Sequence, residues 1–237
     1  MSVAAEARVL WQLLRGAPNG GNHAERLQRF YAPQAAAYDG FRQRLLHGRR
    51  QLLARLAPRP GSSLVELGAG TASNLELPGL RLQSLAQVHA VDLCPALLAV
   101  ARQRSRRWPQ VQVVEADAAL WRPPAPVDYV LLSYALTMMP DWRSTLANAI
   151  SMLKPGGELA VVDYHIPHGR GGWLARHFWR PWFAHDGVLL SDEHLPTLAS
   201  ELRGRCLVQR LGPVPYLPGL RVPWYAFIGS RPAARPA

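Results

Sequence analysis

Short apolar runs at residues 64–67, 88–91, 111–114, 127–132 and 158–163 alternate with stretches of helical spacing. Strands alternating with helices predict a parallel sheet covered by helices on both faces. Before the first run the periodicity is helical throughout. Val3, Ala7, Leu10, Leu13 and Leu14 predict a helix over 2–15 that stops at the Gly16–Asn22 turn cluster. Residues 24–31 and 34–56 read as two helical pieces split by Pro33, the second ending at Pro58, Pro60 and Gly61. The last third departs from the alternation, with a helix expected over 192–202 and strands over 206–211 and 222–228. Their connection carries Pro213, Pro215, Pro218 and Gly219 and is too short for a crossover helix, so the pair is expected to be antiparallel. Residues 231–237, rich in Pro and Ala, are expected to be disordered.

A chain of 237 residues with 49% hydrophobic residues supports one domain with its own core. We divide it into an N-terminal helical cap (1–57), a core (58–164), an aromatic and basic segment (165–204), C-terminal strands (205–230) and the tail. No stretch approaches the roughly 20 apolar residues that cross a bilayer, and the N-terminus lacks a signal pattern, so a spanning or secreted protein is not expected. Cys94 and Cys206 lack metal or disulfide spacing and read as isolated thiols of a reducing compartment, which predicts a cytoplasmic location. The net charge of +11 is nearly all arginine, Lys154 being the only lysine. That charge suits phosphate or anionic lipid head groups, or reflects arginine-favouring codon usage, and composition does not choose between them.

The chemistry concentrates in Val65-Glu66-Leu67-Gly68-Ala69-Gly70-Thr71-Ala72-Ser73-Asn74, a glycine-rich turn expected between the first strand and a helix. Glycine there permits positive φ and removes the side chain that would block a ligand's approach, while a following helix offers unpaired amides. A dinucleotide fingerprint wants a third glycine where Ser73 stands, and Glu66 would oppose a diphosphate, so the acidic residue argues for a cationic ligand. Val91-Asp92-Leu93 ends the second strand with a carboxylate suited to ribose hydroxyls. Asp117, in Ala116-Asp117-Ala118 after the third strand, can accept from an exocyclic amino group while the next amide serves a ring nitrogen. Each carboxylate alone has a bland account: Glu66 an arginine partner, Asp92 a helix cap, Asp117 a turn. Three of them at successive strand ends converge on one crevice.

This order of motifs resembles class I S-adenosylmethionine-dependent methyltransferases over roughly 62–163, including Leu153-Lys154-Pro155-Gly156-Gly157 before the fifth strand. The resemblance implies a Rossmann-like α/β fold: a mostly parallel seven-stranded sheet with an antiparallel C-terminal hairpin. It implies S-adenosylmethionine as cofactor, with Glu66, Gly68, Ala69, Gly70 and Asn74 around the methionyl part, Asp92 and Leu93 at the ribose, and Asp117 and Ala118 at adenine. Ser133 and Tyr134 would lie beneath the sulfonium, and Tyr38, His47 and Arg49 would close from the cap, the arginine on the cofactor carboxylate.

Flanking segments resemble the BtaB-type methyltransferase of betaine-lipid synthesis. They are Phe30-Tyr31-Ala32-Pro33-Gln34, Tyr38-Asp39, Leu46-His47-Gly48-Arg49, the run from Leu132 to Arg143, and the run from Tyr216 to Tyr225. That resemblance implies trimethylation of the amine of diacylglycerylhomoserine, a polar lipid partner at the inner membrane surface, and a separate aminocarboxypropyl transferase upstream. Trp173, Leu174, Phe178, Trp179, Trp182 and Phe183 alternate with Arg170, Arg176, His177 and Arg180. Such a segment either lies at head-group level or forms a core helix with a basic outer face; exposure of the tryptophans separates the two. The amine must be neutral to attack. Tyr134 is the first choice for an aromatic face near the nitrogen, with Tyr31, Tyr38 and Tyr164 in reserve, while Asp163 and His165 are candidates to orient or take a proton. A satisfied surface histidine is the plain alternative for His165. Arg143, Arg170 or Arg180 would meet the substrate carboxylate. No metal is expected. A soluble or quinone-type acceptor is the second reading. Nucleic-acid binding is not expected, because the aromatics cluster with arginines in one amphipathic block and no RNA module fits this length.

Overall fold

The computed structural model describes residues 16, 20–37, 39–40, 44–169, 172–215, 217 and 219–232. The helix expected over 2–15, most of the tail, Tyr38 and Arg170 lie outside them. A cap consisting of α1 (His23–Tyr31), a 3-10 turn (Ala32–Ala37) and α2 (Arg49–Leu56) leads into β1 (Ser63–Leu67) and β2 (Gln87–Asp92). There follow α3 (Pro95–Ser105), β3 (Val111–Glu115), β4 (Val127–Ser133), α4 (Trp142–Met152) and β5 (Leu153–Tyr164). Helix α5 runs over 172–185 with a π-helical middle at Ala175–Trp179, and α6 (His194–Glu201), β6 (Arg203–Pro213) and β7 (Arg221–Ser230) complete the order. One seven-stranded sheet has the order β3-β2-β1-β4-β5-β7-β6, with β7 antiparallel to both β5 and β6. The sequence expectation of a mostly parallel sheet closed by an antiparallel pair is met.

Two corrections concern helices. The expected helix over 34–56 is only α2, because Gly48 turns into the left-handed region at φ +78° and the Trp224 ring occupies the space a side chain would need. No α-helix follows the glycine-rich turn: 3-10 turns at Ser73–Glu76, Pro78–Leu80 and Leu82–Ser84 replace it. Pro78 interrupts helical bonding there, and a Cβ on Gly79 would lie 2.6 Å from the Ala54 amide nitrogen, so this stretch packs flat on α2. Helix-terminal amides are therefore not what the turn offers a ligand.

The strands are apolar because both faces are covered. Leu64, Val88, Leu131, Ala160 and Val162 pack beneath α2 and the buried side of α5, whereas Val65, Val91, Val130, Leu132 and Val161 face α4 and α6. Leu67 pairs with Val91 and Leu132, and Ser133 with Val162, so β1, β2, β4 and β5 deliver their ends to one edge.

On the α4/α6 side, His194 is fully buried, edge-on to Trp142 at 4.5 Å, and neither ring nitrogen has a hydrogen-bond partner among the described residues. Burial, with Arg143 nearby, pushes its pKa down to about 4. A folded-state pKa below the ordinary 6.5 means that the unfolded chain binds the proton more tightly, so this residue costs stability as pH falls through 6.5, levelling off near 4. His194→Leu should therefore stabilise the fold by about 1–2 kcal/mol at pH 7. The gap should widen toward pH 5 in calorimetric melts, and a variant that melts below the wild type at pH 5 would contradict this account.

Candidate functional site

The shared sheet edge opens into two adjoining cavities. The larger, about 310 Å³, runs from Gly68 and Gly70 past Asp92 and Leu93 to Asp117 and Ala118, with Tyr134 and Met138 on one side and His23, Leu27 and Tyr31 of α1 as its roof. The smaller, about 60 Å³, is lined by Arg49, Glu66, Ala69, Thr71, Asn74, Ser133, Thr137 and Tyr134, among others.

Gly68 holds the junction at φ +69°, where a Cβ would stand 2.6 Å from that of Ala135, so any larger residue must push two strand ends apart. Asp92 ties the turn to α3: its Oδ2 accepts from the Gly70 amide at 2.7 Å and its Oδ1 from the Cys94 amide at 2.9 Å. Burial raises its pKa, opposed by those amide bonds. Each oxygen keeps a second lone pair for a hydroxyl donor. Asp117 closes its own turn by accepting from the Ala119 amide at 2.8 Å, leaving its loop against the far end of the larger cavity.

The smaller cavity is electrostatically primed. Glu66 Oε1 accepts from Asn74 Nδ2 at 2.6 Å, and Asn74 Oδ1 in turn accepts from Arg49 Nη1 at 3.3 Å. Glu66 Oε2 and the Ser133 hydroxyl are buried with no hydrogen-bond partner among the described residues. Burial drives the Glu66 pKa to about 7, against the pull of Asn74 and Arg49. An unmatched carboxylate oxygen and hydroxyl beside an arginine fit an α-amino acid group, the ammonium on Glu66 and the carboxylate on Arg49. Together the cavities could hold the two ends of S-adenosylmethionine, the adenosyl part in the larger and the methionyl part in the smaller.

Tyr134 lines both cavities at φ +56°, an uncommon position for a bulky residue and one found at functional turns. Its hydroxyl donates to the His47 carbonyl at 2.7 Å and its ring packs edge-on to Tyr164 at 4.6 Å, so the ring is fixed. Burial raises its pKa well above 10, keeping it neutral.

Several expected residues lie elsewhere. Asp163 lines neither cavity; fully buried, it accepts from the Thr137 amide and hydroxyl (3.2 and 2.7 Å) and from the Tyr164 amide (2.8 Å). Burial lifts its pKa to about 6. It shapes the loop after β4 and is not placed to take a substrate proton. His165 packs against the Tyr225 ring at 5.5 Å, 4% exposed, with burial pushing its pKa to about 4, so it is a core histidine. The His47 ring faces away, its Nε2 2.9 Å from the Pro213 carbonyl; its backbone, which anchors Tyr134, serves the site. Arg143 stacks on Trp142 and pairs with Glu193 at the surface. Tyr38 and Arg170 are outside the described residues.

Helix α5 buries one face and exposes the other. Ala175, Trp179 and Phe183 are core, with Trp179 Nε1 donating to the Arg221 carbonyl at 2.9 Å. Trp173 and Trp182 are 64% and 41% exposed beside Arg176, His177 and Arg180, while Phe178 is half-buried and stacked on Trp182. Sequence reasoning missed His23, Leu27, Thr71, Thr137 and Met138 as cavity walls. Their helical and turn patterns are those of ordinary packing residues, and no spacing signal marks them.

Comparison with known proteins agrees with this geometry. A protein-family profile described as "Methyltransferase domain" matches residues 65–161. The chain is 34% identical over 136 residues to a trans-aconitate 2-methyltransferase of Azoarcus sp. (strain BH72), covering 54% of this chain and 52% of that relative. It is 27% identical over 154 residues to a demethylmenaquinone methyltransferase of Tropheryma whipplei (strain Twist), covering 62% of each. It thus spans about half to three fifths of the length of these curated relatives. Its fold superposes on the crystal structure of the N-methyltransferase NodS from Bradyrhizobium japonicum WM9 in complex with S-adenosyl-L-homocysteine. The TM-score is 0.63 at 18% identity, covering 88% of this chain and 99% of that one.

Proposed function

We propose that this chain, of which residues 65–161 match a methyltransferase-domain profile, is a class I N-methyltransferase that takes S-adenosylmethionine as its methyl donor and acts on a lipid amine. In this reading diacylglycerylhomoserine is methylated successively to diacylglyceryl-N,N,N-trimethylhomoserine. The site supports the donor half through the three strand-end carboxylates and the unmatched Glu66 and Ser133 atoms. The observation that carries the lipid half is the outer face of α5: Trp173, Leu174 and Trp182 stand exposed among Arg176, His177 and Arg180. Indoles between arginines suit the boundary of an anionic membrane. No helix of the described residues is long and apolar enough to cross a membrane. The homoserine head group would come from a separate aminocarboxypropyl transferase.

Methyl transfer from a sulfonium is an in-line displacement in which bound S-adenosylmethionine supplies the electrophilic methyl group. The protein supplies alignment, exclusion of water and a neutral nucleophile. Arg49, Glu66 and Asp92 would hold the donor's ends, and the Tyr134 ring, held by its hydroxyl at the junction of the cavities, would offer an aromatic surface to positive charge. The amine releases a proton before each of the three attacks, and the third yields a permanent cation that an aromatic face at the junction would favour.

The purified protein, incubated with S-adenosylmethionine and vesicles containing diacylglycerylhomoserine, should give mono-, di- and trimethylated lipid in mass spectra, and Asp92→Ala should abolish all three. Donor binding without lipid methylation would overturn the lipid half. It would favour the second reading, a quinone-type or small-acid acceptor, which the sequence likeness to enzymes named for such substrates supports.

A further inference from the structure

The two donor cavities do not end the hollow space at this edge. A third, about 180 Å³, lies between α1 and the loop after α5, with walls that include Leu27, Phe30, Met138, Pro140, Asp186 and Leu189. It shares His23, Leu27, Met138 and Pro140 with the adenosyl cavity. Met138 is the one residue lining all three of these cavities. A donor with its adenosyl part in the first and its methionyl part in the second has its sulfur where the two join. Met138 stands there, so the third cavity opens toward the methyl group.

Among the described residues, two other sides of the junction are occupied. Arg49, Glu66 and Asn74 fill the methionyl end with a hydrogen-bonded chain. The Tyr134 ring, anchored to His47 and packed on Tyr164, blocks the α2 side. Met138 is the adaptable wall: it is an unbranched thioether with rotatable bonds, its sulfur 4.0 Å from the Tyr31 hydroxyl. The mouth of the third cavity is tied to the same loop, because the Leu189 amide donates to the Thr137 carbonyl at 2.6 Å and Asp163 holds Thr137 from behind.

We infer that this third cavity is the acceptor site, that Met138 is the movable partition between acceptor and donor, and that the ligand class is an amine carrying an apolar chain. The proposal rests on the methyl-transfer reading above and deepens it. Leu27, Phe30, Pro140 and Leu189 offer hydrocarbon walls, and the lining also carries His23, Arg26 and the largely buried carboxylate of Asp186. Apolar walls with one acid and one arginine among them suit a chain-bearing amine with its ammonium at Asp186 better than a free polyacid, for which the lining offers the single arginine. Leu189, 47% exposed, stands at the rim, following in sequence directly on the helix that bears Trp173 and Trp182, so the chain end of an amphiphile is led out on the α5 side.

The test uses the full chain with its four methionines methyl-labelled for NMR and saturated with S-adenosylhomocysteine. Saturation should shift Met138 and Met139, which line the donor cavity, and leave Met152, packed among α4 and β5 residues on the other sheet face, unmoved. The probes are n-alkylamines of four to ten carbons. They should move Met138 again without releasing S-adenosylhomocysteine, with affinity rising about three- to fourfold per added methylene until the cavity is full. Leu189→Trp should weaken the amines at least tenfold while the shift caused by S-adenosylhomocysteine stays as in the wild type. Amines that displace S-adenosylhomocysteine, that leave Met138 unmoved, or that bind Leu189→Trp as well as wild type would overturn the acceptor site alone. Absence of any shift with S-adenosylhomocysteine would overturn the donor reading, and this inference with it.

Discussion

Asp92→Ala is expected to lower affinity for S-adenosylhomocysteine by about a hundredfold or more in calorimetric titration, the loss of roughly 3 kcal/mol that two hydrogen bonds to a charged group represent. The size of the effect follows from the carboxylate's double duty. It holds the glycine-rich turn through the Gly70 amide and the start of α3 through the Cys94 amide, and in the proposed reading it is also the acceptor for ribose. Alanine removes the ligand contacts and also frees the turn that shapes the junction between the donor cavities. Asp92→Asn keeps one acceptor oxygen and should fall between wild type and alanine. The fold itself should lose less, because a buried carboxylate with a raised pKa already carries a desolvation cost that alanine removes. An Asp92→Ala protein that binds within threefold of wild type would remove Asp92 from the ribose site.

Donor affinity should depend steeply on pH, with Glu66 responsible. In the free site burial holds its pKa at about 7, above the ordinary 4.5. A ligand ammonium beside Oε2 stabilises the carboxylate and lowers that pKa, so binding below pH 7 expels a proton. Affinity for S-adenosylhomocysteine should then fall close to tenfold for each pH unit below 7 and flatten above it. The linked stability runs in the opposite sense: without ligand, an acid whose folded pKa is raised makes the fold less stable as pH rises from about 4.5 to 7, and ligand cancels that loss. Glu66→Gln keeps the shape, removes the charge and should abolish the pH slope while weakening binding about tenfold to a hundredfold. Calorimetry in buffers of different ionisation enthalpy reads the released proton directly. A wild-type affinity flat between pH 5.5 and 7 would show that Glu66 does not meet the ammonium.

What the sequence determined by itself was the sheet and the edge at which its strand-end carboxylates gather. The runs from Leu64 to Asp163 carry their own period and turn residues, and Glu66, Asp92 and Asp117 each stand at a strand tip, so the parallel topology brings them to one edge without further information. What the tertiary structure alone decided concerns residues whose roles depend on contacts between distant segments. Asp163 and His165 follow β5 at the same edge and read as chemical, yet packing turns one onto Thr137 and the other onto Tyr225. His23, Leu27 and Tyr31 reach the donor cavity only because α1 crosses back over an edge built some 40 to 110 residues later. The segment from Trp173 to Phe183 has one composition and two fates, since its π-helical middle turns Ala175 and Trp179 inward and leaves Trp173 and Trp182 outside. Local periodicity fixes which face of an element is apolar. Which other surface that face meets, and which polar atoms are left unmatched when it does, is set by the whole chain closing at once.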